Sequence, residues 1–174
     1  STTTPTLENV TIRNCCRGIR LQEVTGAYVK DCSVNNISDN AFYFASKNYK
    51  SENGCENCTF DNCHAEKVGQ AGLNNIGGKN NTFKNCTVKT TRACGVQVWN
   101  TNDTITFENC TIEDGNTSEL RTPWGGSADN FSGAVFGVSV AANVYSSLPI
   151  DDNAKVVVDG CEFKSGNDSV SVSY

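Results

Sequence analysis

Apolar and polar positions alternate with period two in short runs, and one cysteine follows most of those runs at a fixed distance. Five segments align without gaps: Val10-Thr-Ile-Arg-Asn-Cys15, Cys58-Thr-Phe-Asp-Asn-Cys63, Asn81-Thr-Phe-Lys-Asn-Cys86, Ile105-Thr-Phe-Glu-Asn-Cys110 and Val156-Val-Val-Asp-Gly-Cys161. A sixth, Ala27-Tyr-Val-Lys-Asp-Cys32, fits more loosely. With the shared cysteine as position zero, position −3 is Ile12, Val29, Phe60, Phe83, Phe107 and Val158, always apolar. Position +2 is Arg17, Val34, Ala65, Val88, Ile112 and Phe163, apolar in all but the first. Period two predicts strands.

The alternation slips by one at position −1, occupied by Asn14, Asp31, Asn62, Asn85, Asn109 and Gly160. These residue types tolerate positive φ. One left-handed residue between two strands turns the chain and lets both keep their apolar side chains inward. A third run follows in most units, at Phe42-Tyr-Phe44, around Leu73, at Val96-Gln-Val98 and at Val170-Ser-Val172. Three short strands per repeat predict one coil of a three-sided solenoid.

The register cysteines are separated by 17, 31, 23, 24 and 51 residues. A coil of 23 to 24 residues is the regular unit, and longer intervals throw loops outward. The expected architecture is all-β: a parallel β-helix of about six coils, forming one domain over residues 1–174, with residues 113–152 as an enlarged coil carrying long loops. At about 4.8 Å per coil the stack is roughly 25–30 Å tall. A leucine-rich repeat lacks its Leu-x-x-Leu-x-Leu signature here, and a helical solenoid would need a 3.6-residue period.

The strand, Asn-corner and strand units resemble the right-handed parallel β-helix repeats of the pectate-lyase-like superfamily, from about Leu7 to Tyr174 apart from the long insertion. That group includes polysaccharide lyases, mannuronan epimerases, phage tailspikes and surface adhesins. The resemblance implies the fold and leaves the function open. Its lyases and epimerases need a base, a group that neutralises the uronate and a proton donor. This chain has neither a Tyr-Gly-x-Asp-Pro-His stretch nor an Arg-x-Pro-x-x-Arg stretch, and His64 is its one histidine. Lys89 and Arg92 share one coil and Arg20 lies on another, with no base converging on them in the sequence. No catalytic residue is assigned.

Six cysteines, Cys15, Cys32, Cys63, Cys86, Cys110 and Cys161, are expected to form an inward ladder of small apolar groups. Cys16, Cys55, Cys58 and Cys94 stand off that register and are the disulfide candidates. Cys55-x-x-Cys58 has no second ligand pair, so no metal site is expected. The loops of the enlarged coil carry Arg121, Trp124 and Asp129, candidates for stacking on and binding a glycan, and Tyr145, Pro149, Asp151 and Asp152. Asp129, Asp151 and Asp152 are also the candidate calcium ligands or acid–base pair. The simpler reading has Trp124 covering the side of the helix and the acids solvated.

A net charge of −5 with 14 scattered basic residues argues against a nucleic-acid surface. No apolar run is long enough to span a membrane. Ten cysteines and ten Asn-x-Ser/Thr sequons, at Asn9, Asn36, Asn57, Asn80, Asn85, Asn102, Asn109, Asn116, Asn130 and Asn167, point to an extracellular or cell-surface protein with N-linked glycans as its candidate attachment and no cofactor. Methionine is absent, which fits a mature or excised segment. The final run Ser169-Val-Ser-Val-Ser-Tyr174 reads as a strand with no cap after it, so copies of the chain are expected to add on through their coil ends. The expectation is a self-assembling structural protein of a filament, sheath, fibre or surface layer. The alternatives are a polysaccharide lyase or epimerase and a non-catalytic glycan-binding or adhesin module.

Overall fold

The computed structural model describes residues 4–47, 53–113, 138–141 and 153–164, the third segment by its backbone alone. Among the described residues, seventeen strands form three parallel sheets. Sheet A contains β1 (Thr6–Glu8), β4 (Tyr28–Lys30), β7 (Thr59–Asp61), β10 (Asn81–Lys84), β13 (Thr104–Glu108) and β16 (Lys155–Asp159). Sheet B contains β2 (Thr11–Cys15), β5 (Ser33–Ile37), β8 (His64–Val68), β11 (Thr87–Thr91), β14 (Thr111–Glu113) and β17 (Glu162–Lys164). Sheet C contains β3 (Ile19–Gln22), β6 (Phe42–Ala45), β9 (Ala71–Ile76), β12 (Cys94–Trp99) and β15 (Val138–Ala141). The chain visits A, B and C in turn and pairs each strand with its counterpart one coil away, so the molecule is a three-sided β-helix of six coils.

Single left-handed residues make the corners. Between sheets A and B they are Asn9, Asp31, Asn62, Asn85, Asn109 and Gly160, with φ from 50° to 60°. A second corner, four residues after the register position, uses Asn36, Lys67 and Thr90, and a third precedes sheet A at Gly26, Asn57 and Asn80. Asn supplies the second benefit of hydrogen bonding along the stack: Asn36 Nδ2 donates to Asn14 Oδ1 at 2.8 Å and Asn62 Nδ2 to Asp31 Oδ1 at 2.7 Å.

The first coil corrects the sequence alignment. Ile12 pairs with Val34, and Cys15 pairs with Ile37. Ser33 N donates to Val10 O, just as His64 N donates to Cys32 O one coil on. Val10 therefore occupies the register position, Leu7 stands at −3 opposite Val29, and Cys15 is exposed at the far end of β2. The apparent 17-residue first interval becomes 22 residues, Val10 to Cys32. Asn14 is left-handed as expected, but it belongs to the second corner. Position +2 then becomes Ile12, apolar like the other five, and Arg17 leaves the column.

The interior is built from columns. Phe60, Phe83 and Phe107 stack with their ring planes nearly parallel and centroids 5.5 and 5.1 Å apart. Phe42 and Phe44 of sheet C pack tilted against them at 4.7–5.4 Å. Burying each such ring contributes about 2–3 kcal/mol from area alone. The buried Asn81 is satisfied locally: its Oδ1 accepts from Cys58 N, and its Nδ2 donates to Cys55 O at 2.8 Å and to Asn75 Oδ1 at 3.2 Å.

Candidate functional site

Sheets A and B turn a solvated face outward, as alternation with exposed Thr, Lys and Glu requires. Sheet C differs, because in its central strands both faces are buried. Phe42, Phe44 and Leu73 point into the main core, whereas Tyr43, Ala45, Ile76 and the half-buried Trp99 form a separate apolar cluster on the opposite face. Arg20 lies over the Tyr43 ring, 5.4 Å from its centroid. Beside them runs a polar network. Arg17 pairs with the buried carboxylate of Asp39, and Asn40 Nδ2 donates to Asp39 Oδ1 at 2.9 Å and to Gln70 Oε1 at 2.7 Å. Asn74 Nδ2 and the Ala71 amide both donate to Asn40 Oδ1. The hydrogen bond to Asp39 raises the Arg17 pKa, so the guanidinium of this pair stays charged. Asn74 Oδ1 and Arg92 Nη1 are buried with no hydrogen-bond partner.

Of these groups Arg17 and Arg20 are exposed, whereas Asp39, Asn40, Tyr43 and Asn74 are buried. The sequence pointed to Arg20 and Arg92 singly and missed the network, because Arg17, Asn40 and Asn74 are neighbours only through the coil repeat. The loop candidates Arg121, Trp124, Asp129, Tyr145, Pro149, Asp151 and Asp152, the sequons Asn116, Asn130 and Asn167, and the run 169–174 lie outside the described residues.

All ten cysteines are free thiols. Cys32, Cys63, Cys86 and Cys110 are buried in one column that Cys161 continues and Val10 heads; Cys15 is not part of it. Hydrogen bonding of the Cys86 thiol to its neighbours Cys110 and Cys63, with burial, pushes it well up, and accepting from Cys86 lowers Cys63 and Cys110. Of the four cysteines off the register, Cys16 is exposed, and Cys55, Cys58 and Cys94 are buried. Burial alone pushes Cys94 up to about 12. A hydrogen bond from Cys55 lowers Cys58 to about 7, and the Ala27 amide donates to its sulfur at 3.4 Å. Among the described residues no group of three or more His, Cys, Asp or Glu is placed to hold a metal ion, and no helix is long and apolar enough to cross a membrane. His64 is exposed on the outer face of sheet B.

The sequons follow the corners. Asn9, Asn36, Asn57, Asn80, Asn85 and Asn109 are all exposed left-handed residues followed two positions later by Ser or Thr. The fold itself selects Asn there, so their number is explained by backbone conformation without reference to glycosylation.

In the first and last described coils the interior columns are partly exposed. Leu7 is 38% exposed at one end, and Val158 and Phe163 are 45% and 42% exposed at the other. Every rung between them at −3 and +2, from Val29 to Phe107 and from Val34 to Ile112, is 4% exposed or less.

The chain belongs to the family described as right handed beta helix region, whose pattern matches residues 1–174. No curated protein and no solved structure matches it.

Proposed function

We propose that this is a structural β-helix that extends coil upon coil through its ends, as part of a filament, fibre or surface layer outside the cell. The observation that carries the reading is the exposure of Leu7, Val158 and Phe163, which occupy interior positions of a continuous apolar stack. A further coil laid on either end buries these side chains and pairs the backbone groups of the outermost strands. The extracellular setting rests on the exposed sequons, which stand available as glycan acceptors; the ten free thiols do not add to it. Light scattering over a concentration series tests the stacking. Growth in mass, abolished by Val158→Asp with Phe163→Asp, is the expected outcome, and a monomer at every concentration and salt overturns it. Glycopeptide mapping of the secreted protein tests the setting.

A second reading has one observation of its own. Arg17 and Arg20 are exposed on the first coil and held by the buried Asp39 and Tyr43, which supports a glycan-binding module with these two guanidinium groups as its contacts. Binding on a glycan array that is lost in Arg17→Ala and Arg20→Ala, with the fold intact by circular dichroism, supports this reading. Unsaturated sugars released from alginate or pectin would move it to a lyase.

A further inference from the structure

Of the four cysteines off the register, two meet. Cys55 and Cys58 are fully buried in the main core, and the Cys55 thiol donates a hydrogen bond to the Cys58 sulfur. Asn57, left-handed with φ 54°, turns the chain between them. One buried side chain clamps both backbones: Asn81 Nδ2 donates to Cys55 O at 2.8 Å, and Asn81 Oδ1 accepts from Cys58 N at 3.0 Å. Lys79 N also donates to Cys55 O, at 3.1 Å. Gly78 packs so closely that a Cβ there would come within 2.0 Å of the same carbonyl oxygen. From the preceding coil the Ala27 amide donates to the Cys58 sulfur at 3.4 Å.

The stacked column is built differently. Sγ of Cys32, Cys63, Cys86, Cys110 and Cys161 each lies 3.2–3.5 Å from the carbonyl oxygen two residues earlier in the chain. The same contact on every rung gives every rung the same side-chain direction, so neighbouring Cβ atoms repeat the coil spacing of about 4.8 Å. A disulfide needs its Cβ atoms about 3.5–4.5 Å apart, so thiols that hydrogen-bond along the column are still badly placed to bridge. Cys94 clusters with Ala71 and Ala93 and with no second cysteine, and Cys16 is exposed.

We propose that Cys55 and Cys58 close a disulfide when the chain folds in the presence of a small-molecule disulfide, with Asn81 as the positioning residue and the stacked column left reduced. Two S–H bonds break and one S–S bond forms. Oxidised glutathione, or another small disulfide, takes up the two electrons and two protons and leaves as two thiols. Accepting from Cys55, and from the Ala27 amide, lowers Cys58 to about 7, which supplies the thiolate that exchange uses at neutral pH.

The test refolds the reduced, unfolded full chain in glutathione buffers of rising oxidised fraction, blocks the remaining thiols after unfolding, and maps the peptides by mass. Cleavage after Glu56 is expected to give two peptides joined through Cys55 and Cys58, with Cys32, Cys63, Cys86 and Cys110 recovered as blocked thiols. Asn81→Leu places an apolar side chain where Ile105 stands one coil on, and removes both backbone contacts. Half-oxidation of this variant is expected to need about tenfold more oxidised glutathione at the same concentration of the reduced form. Cys55 and Cys58 recovered free at every ratio, or bridges between rungs of the column, overturn the pairing. An unchanged midpoint in folded Asn81→Leu overturns the role of Asn81. The peptide map of the parent chain decides the pairing even where the variant does not fold.

Discussion

Ile12 stands directly opposite Val34 in adjacent parallel strands, and this one pairing removes Cys15 from the interior column. Cys15 is exposed beside Cys16, while seven other thiols are buried. Brief treatment of the folded protein with a thiol reagent is therefore expected to label Cys15 and Cys16 first and Cys161 more slowly. Cys32, Cys55, Cys58, Cys63, Cys86, Cys94 and Cys110 are expected to react only on unfolding. Peptide mass mapping checks the order, and rapid labelling of Cys86 or Cys110 would contradict the column.

Phe83 lies between Phe60 and Phe107 and also touches Phe44. Truncating it opens a cavity bounded by three other rings, and Phe83→Ala should destabilise the fold by about 3–5 kcal/mol. Phe83→Leu should cost less than half of that. Urea unfolding curves of the three proteins make the comparison.

Asn62 holds φ at 50° and donates to Asp31 across the coil boundary. Replacement by Ala places a Cβ in the left-handed region and removes the hydrogen bond, for an expected loss of about 1–2 kcal/mol. Asn62→Gly keeps the backbone conformation and should lose less. If alanine and glycine are equally tolerated by thermal unfolding, the corner does not depend on positive φ.

Asp61 receives hydrogen bonds from Tyr28 and Asn85 and pairs with Lys84. Burial pushes its pKa up, but these contacts outweigh burial and hold it below the ordinary aspartate value. A group depressed in the folded state stabilises the fold above its unfolded pKa. That contribution is lost as pH falls through the folded value, so it disappears below about pH 4. Asp61→Asn should lower stability at neutral pH and flatten the acid limb of the stability curve. An unchanged acid limb would rule out this carboxylate as a contributor.

The fold class, six coils, the three-strand repeat and the left-handed corners between sheets A and B were legible in the chain, because period-two burial and the positive-φ tolerance of Asn, Asp and Gly are local properties of consecutive residues. The register of the first coil was not. The coil has two single-residue corners five positions apart, at Asn9 and Asn14, and Ile-Arg-Asn-Cys15 imitates the segment that ends each sheet A strand. Only the pairing with β5 distinguishes them, since parallel ladders fix register through contacts between residues some twenty positions apart. The burial of Cys55, Cys58 and Cys94 and the polar network from Arg17 to Asn74 were decided the same way, by which residues the repeat stacks on one another. Local patterning says which side chains point inward; stacking alone says what each one meets.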